Sequence, residues 1–190
     1  MKKIILSFVA AIMLFACAPK ADNTKQPADE KKTNKKKDLS SIIYEETIIM
    51  PDFTLMDSNG NEVSLYETLD AGNTVIVDFW ALWCVPCIKL LPHLSSFTEK
   101  YDNVKVFAIS EDSKRQSAKA GKFVAERGWK VSTLYDQNGA VKKLLDVGVI
   151  PETFYVTPDR RIHFRHFGYK EGGEVELEHV LKELLESYDK

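Results

Sequence analysis

Val77-Asp78-Phe79-Trp80-Ala81-Leu82-Trp83-Cys84-Val85-Pro86-Cys87 is the stretch on which the reading of this chain turns. Thr74 to Phe79 is a short apolar run rich in valine and isoleucine, as suits a strand buried on both faces. After Cys84, apolar residues recur at helical spacing: Ile88, Leu91, Leu94 and Phe97, with Leu90 widening the stripe. A helix over about 84–100 is therefore predicted, with Pro92 inside it removing one backbone hydrogen bond and kinking it. A strand thus runs directly into a C-x-x-C that opens a helix. At that position unpaired N–H groups and the positive end of the helix dipole favour a thiolate. Such cysteines have their pKa lowered from about 8.5 into the range of roughly 3.5–7.5. Cys84 is the expected nucleophile. Cys87 lies one turn further in and is expected to resolve a mixed disulfide from behind.

The neighbours of the two cysteines follow from the same geometry. Asp78 interrupts a strand made of Val75, Ile76, Val77 and Phe79. Buried and charged, it costs several kcal/mol, so it must be protonated or partnered. The family resemblance given below implies that it accepts the proton of Cys87; the plainer alternative is a satisfied aspartate at a strand end. Trp83, next to Cys84, is expected to shield the disulfide and offer a flat contact to substrate, while Trp80 reads equally well as core. Val85 and Pro86 are expected to tune the disulfide by shaping the helix start.

Downstream, Val104–Ser110 reads as a strand and Ser113–Arg127 as a polar-faced helix ending at Gly128, a left-handed cap. Thr133–Tyr135 is a short strand, and Asn138 is expected to cap a helix over about 139–146. Thr153–Val156 and Ile162–Phe167 are strands around the turn Thr157-Pro158-Asp159-Arg160, and an amphipathic helix spans Gly173–Tyr188. Upstream, Phe53-Thr54-Leu55 and Glu62-Val63-Ser64-Leu65 flank Asp57-Ser58-Asn59-Gly60, the signature of a β-hairpin. The order is hairpin, β, α, β, α, β, α, β, β, α. It predicts an α/β fold, a mixed central sheet flanked by helices, largely parallel, with an antiparallel edge and an N-terminal hairpin extension. At 190 residues and 44% hydrophobic, the chain suits one domain with appendages, assigned here to residues 42–190.

The N-terminal residues address the compartment. Lys2 and Lys3 precede the apolar run from Ile4 to Ala16, too short for the about 20 residues a membrane-spanning helix needs. A basic start, a short apolar centre and a small residue before the cut describe a secretory signal. Leu14-Phe15-Ala16-Cys17 resembles the bacterial lipobox, in which the cysteine is lipidated, so residues 1–17 are read as a lipoprotein signal peptide. The alternative is a plain signal with a chance cysteine. Residues 18–41 read as a disordered tether: seven lysines lie between Lys20 and Asp38, with no aromatic residue. With Cys17 lipidated, two cysteines remain, and C-x-x-C spacing in an exported protein points to redox work.

The segment Asp-Phe-Trp-Ala-x-Trp-Cys-x-Pro-Cys resembles the thioredoxin active site, and Pro92 falls five residues after Cys87, as that family's helix proline does. Val149-Ile150-Pro151-Glu152-Thr153-Phe154 resembles the loop that holds the family's cis-proline. The resemblance implies that Pro151 packs near Cys84 and that the Ile150 backbone pairs with an extended substrate, a mode that tolerates many side chains. Glu152 is expected either to bias substrate charge and influence Cys84 or to be a surface carboxylate. Glu111 is expected to be a solvated loop acid. Signal, tether and hairpin together resemble the TlpA/ResA-like branch of extracytoplasmic thioredoxins, in which asparagine often stands where this chain has Asp78. The branch implies a reductant in an oxidising compartment, serving cytochrome maturation or other envelope thiols. It implies disulfide-containing exported proteins and an upstream membrane electron donor as partners, and a monomer held at the periplasm-facing membrane by a lipid on Cys17. A non-catalytic binding lipoprotein of the same fold, a disulfide oxidant and an isomerase are the competing readings.

Other chemistries fit less well. A peroxiredoxin-type peroxidase places its nucleophile in Pro-x-x-x-Thr/Ser-x-x-Cys, whereas Ala81 and Val77 occupy those positions here. Haem attachment needs histidine after the second cysteine, and Ile88 stands there. A copper carrier of this fold calls for C-x-x-x-C. His93, His163, His166 and His179 show no ligand spacing with the cysteines, so no metal and no cofactor is expected. A net charge of −2 gives no reason to expect nucleic acid.

Overall fold

A computed structural model describes residues 41–188. The expected signal peptide, Cys17 and nearly all of the expected tether lie outside these residues. The strands are β1 (Ser41–Ile49), β2 (Thr54–Asp57), β3 (Glu62–Ser64), β4 (Thr74–Trp80), β5 (Val104–Ser110), β6 (Ser132–Tyr135), β7 (Glu152–Val156) and β8 (Arg161–Phe167). The helices are α1 (Leu65–Asp70), α2 (Val85–Lys100), α3 (Lys114–Glu126), α4 (Ala140–Leu144) and α5 (Glu174–Tyr188). The strands form one sheet in the order β1-β8-β7-β4-β5-β6-β2-β3.

All seven residues of β4 are buried, because the strand is covered on both faces. Val75, Val77 and Phe79 pack with Leu65 and Leu69 of α1 and Val141 of α4. On the opposite face Ile76 packs with Leu90, Leu94 and Phe97 of α2 and with Leu177 and Leu181 of α5. Trp80 lies on that second face with Ala120 and Val124 of α3. Alternation along one strand thus divides the core into two layers.

Three expectations are corrected. The sheet is mixed, but only β4–β5 and β5–β6 are parallel; β7 runs antiparallel to β4. The link from β6 through α4 leaves and re-enters the sheet at the same end, since Tyr135 is level with Ser110, Ser110 with Trp80, and Phe79 with Glu152. It is no crossover, so β7 must run back. Second, Leu65 begins a helix rather than ending a strand. The Ser64 hydroxyl accepts from Glu67 N at 3.2 Å, and Leu65 and Leu69 form the buried stripe of α1. Third, Gly139, not Asn138, stands at the cap of α4, with φ 64°. Asp136 Oδ2 serves that helix start by accepting from Lys142 N at 2.7 Å. The sheet also gains β1, antiparallel to β8, at its edge.

One contact fastens the hairpin to the body. A Cβ on Gly121 of α3 would lie 2.4 Å from Tyr135 Oη and 2.8 Å from Ser58 Cβ. The helix therefore rides directly on the hairpin turn and on β6.

Candidate active site

Beyond β4 the chain makes a tight loop and enters α2. Cys84 is the N-cap residue of α2, with φ −91° and ψ 94°, and its sulfur accepts from Cys87 N at 3.3 Å. The loop is held by Cys84 N donating to Ala81 O at 3.0 Å and by Leu82 N donating to Asp112 Oδ2 at 2.9 Å. Asp112 is buried at the end of β5 and also accepts from Ser110 Oγ at 2.9 Å. Cys84 and Cys87 form a disulfide, with their Cα atoms 5.3 Å apart. Of the two, Cys84 keeps 5% of its surface and Cys87 none. Trp83 and Val85, 66% and 63% exposed, project on either side of Cys84, whereas Trp80 is wholly buried.

The second wall is the segment before β7. The Ile150–Pro151 peptide bond is cis, and Ile150 O lies 3.7 Å from Cys84 Sγ. Pro151 is buried, with its carbonyl accepting from Gly168 N at 2.7 Å. Beside the disulfide a groove of about 470 Å³ is lined by Val85, Pro86, Lys89, Tyr169, Lys170 and Glu171. Lys89 and Glu171 are paired across it at 2.6 Å.

Asp78 has no exposed surface. Its Oδ1 accepts from Thr153 Oγ1 at 2.7 Å, across the β4–β7 register, and its Oδ2 is buried without a hydrogen-bond partner. Burial pushes its pKa from 3.8 up to about 8, with the Thr153 hydroxyl pulling the other way. Ile76 and Trp80, two residues to either side, mark the α2 face of the sheet, so Asp78 points beneath the helix that carries Cys87.

Two acids are corrected. Glu152 is wholly buried, so its carboxylate does not line the surface around Cys84. It accepts from Arg165 Nε at 2.5 Å and from Gly148 N at 3.3 Å, and burial raises its pKa against the lowering effect of Arg165. Glu111 is not solvated: its side chain is 10% exposed and bonds Lys142 Nζ at 2.7 Å. Thr153, Asp112 and Arg165 went unread as site residues, because strand pairing that the sequence does not display brings them in. Among the described residues no group of three His, Cys, Asp or Glu side chains is placed to hold a metal.

A helix-capping cystine of this kind takes up two electrons to become a dithiol, and the dithiol gives them up again to another disulfide. On a thioredoxin-like fold that makes the chain a thiol–disulfide oxidoreductase. The chain belongs to the AhpC/TSA family, which matches residues 48–165. It is 27% identical over 134 residues to the thiol-disulfide oxidoreductase ResA of Bacillus thuringiensis (strain Al Hakam), covering 70% of this chain and 75% of that one. Among solved structures it is similar to a thiol:disulfide interchange protein DsbE from Chlorobium tepidum, with 28% identity, a TM-score of 0.64 and coverage of 70% and 92%. It is also similar to a thioredoxin-like protein from Porphyromonas gingivalis, with 30% identity, a TM-score of 0.62 and coverage of 72% and 92%.

Proposed function

We propose that this chain is a reductant of disulfides in exported proteins, working in the cell envelope from a lipid on Cys17 and recharged by a membrane electron donor. Cys84 attacks a substrate disulfide: one substrate sulfur leaves as a thiolate and the other is bonded to Cys84. Cys87 then gives its proton to Asp78 in its ionised form, which gains ground as pH rises towards about 8, and attacks the Cys84 sulfur. The substrate leaves as its second thiolate, and the Cys84–Cys87 bond holds the oxidised state. Two electrons pass to the substrate. Trp83, Ile150 and Pro151 receive the polypeptide around its cystine, and Val85 and Pro86 set the balance between dithiol and disulfide.

The observation that carries this reading is the unequal placement of the two sulfurs. Cys84, at the helix cap, faces Ile150 and keeps some surface, while Cys87 has none and lies over the face that holds Asp78. Similarity to the thiol-disulfide oxidoreductase ResA supports the exchange chemistry, while the signal-like N-terminus and the resemblance to the TlpA/ResA-like branch are the grounds for the envelope and the reducing direction. Cys87→Ser should accumulate covalent complexes with partner proteins on a non-reducing gel, and Cys84→Ser none. Equal trapping by both would reverse or erase the assignment of nucleophile and resolver. Failure of the wild type to accelerate insulin precipitation with dithiothreitol would favour a binding lipoprotein.

A further inference from the structure

Arg165 makes more contacts than its place on β8 requires. It reaches Glu152 with Nε at 2.5 Å and a second, closer contact from Nη2 to the same oxygen. Nη2 also donates to Asp146 O at 3.0 Å and lies 3.4 Å from Leu145 O. Phe154 and Phe167 sit under the guanidinium, each ring centroid 4.9 Å from Cζ. Glu152, fixed by that pair, accepts Gly148 N with its other oxygen. Residues 145–152 are thus tied at both ends to one side chain. Leu145 and Asp146 hang from it at one end, and Glu152, which follows Pro151 and itself holds Gly148 N, is bound at the other.

Leu145, Val147 and Pro151 are buried, and the Leu145 and Val147 N–H groups donate to Val141 O and Lys142 O at 3.0 Å, but the stretch between Val147 and Pro151 has less to hold it. Asp146 has φ 51°, a conformation that non-glycine residues rarely adopt. Gly148 and Val149 are exposed, so few apolar contacts fix their backbone. Yet this is the segment that sets Ile150 O 3.7 Å from Cys84 Sγ. Arginine suits the task better than lysine, because its planar fork reaches a carboxylate and backbone carbonyls in fixed directions together.

We infer that Arg165 is a positioning residue for substrate: through Glu152 and the carbonyls of Leu145 and Asp146 it holds the Ile150 backbone at the distance where a peptide strand can pair beside Cys84. This rests on the reading that Ile150 receives the substrate chain. Its ties run to Glu152 and to the carbonyls of Leu145 and Asp146, so its loss should weaken docking of a polypeptide and spare the exchange step.

The test follows single turnover of the reduced protein, one dithiol per disulfide reduced, against a short peptide dimer joined by a disulfide. Thiol release is the readout, and KM and kcat are the half-saturating concentration and limiting rate of that turnover. Two further disulfides serve as probes: the same dimer N-methylated at the residue beside each cysteine, and the small aromatic disulfide dithiobis(nitrobenzoate). Arg165→Lys keeps a charge for Glu152 but loses the fork, and Arg165→Met with Glu152→Gln removes both charges together, so neither leaves a bare buried ion. Each should raise KM for the peptide dimer about tenfold, the scale of one or two lost hydrogen bonds. kcat should change less than about twofold, and KM for the aromatic disulfide should hold. In the wild type the N-methylated dimer should already show the raised KM. If the wild type discriminates against N-methylation while the Arg165 variants keep the wild-type KM, the inference about Arg165 fails alone. Equal losses on the peptide and aromatic disulfides would likewise overturn it, as a general structural defect. If the wild type ignores N-methylation, the reading of Ile150 as a strand partner fails, whatever Arg165 does.

Discussion

Asp78 and Glu152 are two wholly buried carboxylates on adjacent strands, and they face opposite sides of the sheet. Asp78 is level with Thr153 and lies on the α2 side; Glu152 is level with Phe79 and lies on the α1–α4 side. Glu152 meets a guanidinium and a backbone N–H. Asp78 meets one hydroxyl and leaves an oxygen bare. Equal burial therefore gives unequal chemistry. A carboxylate with a cation beside it can stay charged and act as a tie; one with only a hydroxyl keeps its proton up to about pH 8 and remains free to exchange it.

The largest expected effect is on stability. The folded-state pKa of Asp78 is raised to about 8 from 3.8, so between those values the folded chain holds a proton that the unfolded chain has released. Stability on this account is fullest below about pH 4 and falls as pH rises to about 8. Asp78→Asn removes the dependence. It should stabilise the chain by up to about 5 kcal/mol at pH 8 and by little at pH 4. Urea unfolding at both values measures this, and a gain independent of pH would show that the proton is not held by burial.

Glu152→Ala should act in the opposite direction, costing about 3–5 kcal/mol by stranding Arg165. Replacing both members, Glu152→Leu with Arg165→Met, should recover most of that loss. A double-mutant cycle reads the coupling directly. A single-mutant cost below about 1 kcal/mol would make the pair no more than a surface contact.

The smallest change is the most pointed. Thr153→Val removes the hydroxyl that lowers the pKa of Asp78, at a cost of about 1 kcal/mol. With Asp78 taking the Cys87 proton, resolution of the mixed disulfide should quicken as pH rises through about 8 in the wild type. In Thr153→Val the midpoint should move to higher pH, and Thr153→Ser should restore it. A profile that does not move would separate Asp78 from the resolving step.

What the sequence disclosed was what lies close along the chain. Cys84 and Cys87, the strand ending at Trp80 and the apolar stripe of α2 all belong to one stretch, and the structure has them there. What it concealed came from pairing between distant segments. Thr153 stands 75 residues from Asp78, and Asp112 30 residues from Leu82. No periodicity announces such a meeting, since the register of β4 against β7 creates it. Glu152 reads the same as a surface acid until Arg165 is brought across from β8. The short helix α1 was legible in hindsight: Ser64 and Glu67 have the spacing of a capping box, and Leu65 and Leu69 stand four apart. The hairpin pattern immediately before it drew Leu65 into a strand instead.

The bare backbone at Gly121 has an implication for the hairpin extension. Tyr135 and Ser58 occupy the space a side chain there would need, so α3, β6 and the β2–β3 turn interlock. The hairpin is not a detachable module. Trimming it back to a smaller oxidoreductase would expose a helix groove shaped for nothing else and leave β6 with an open flank able to pair with another chain. A successful trim would have to refill position 121 and blunt that flank at the same time.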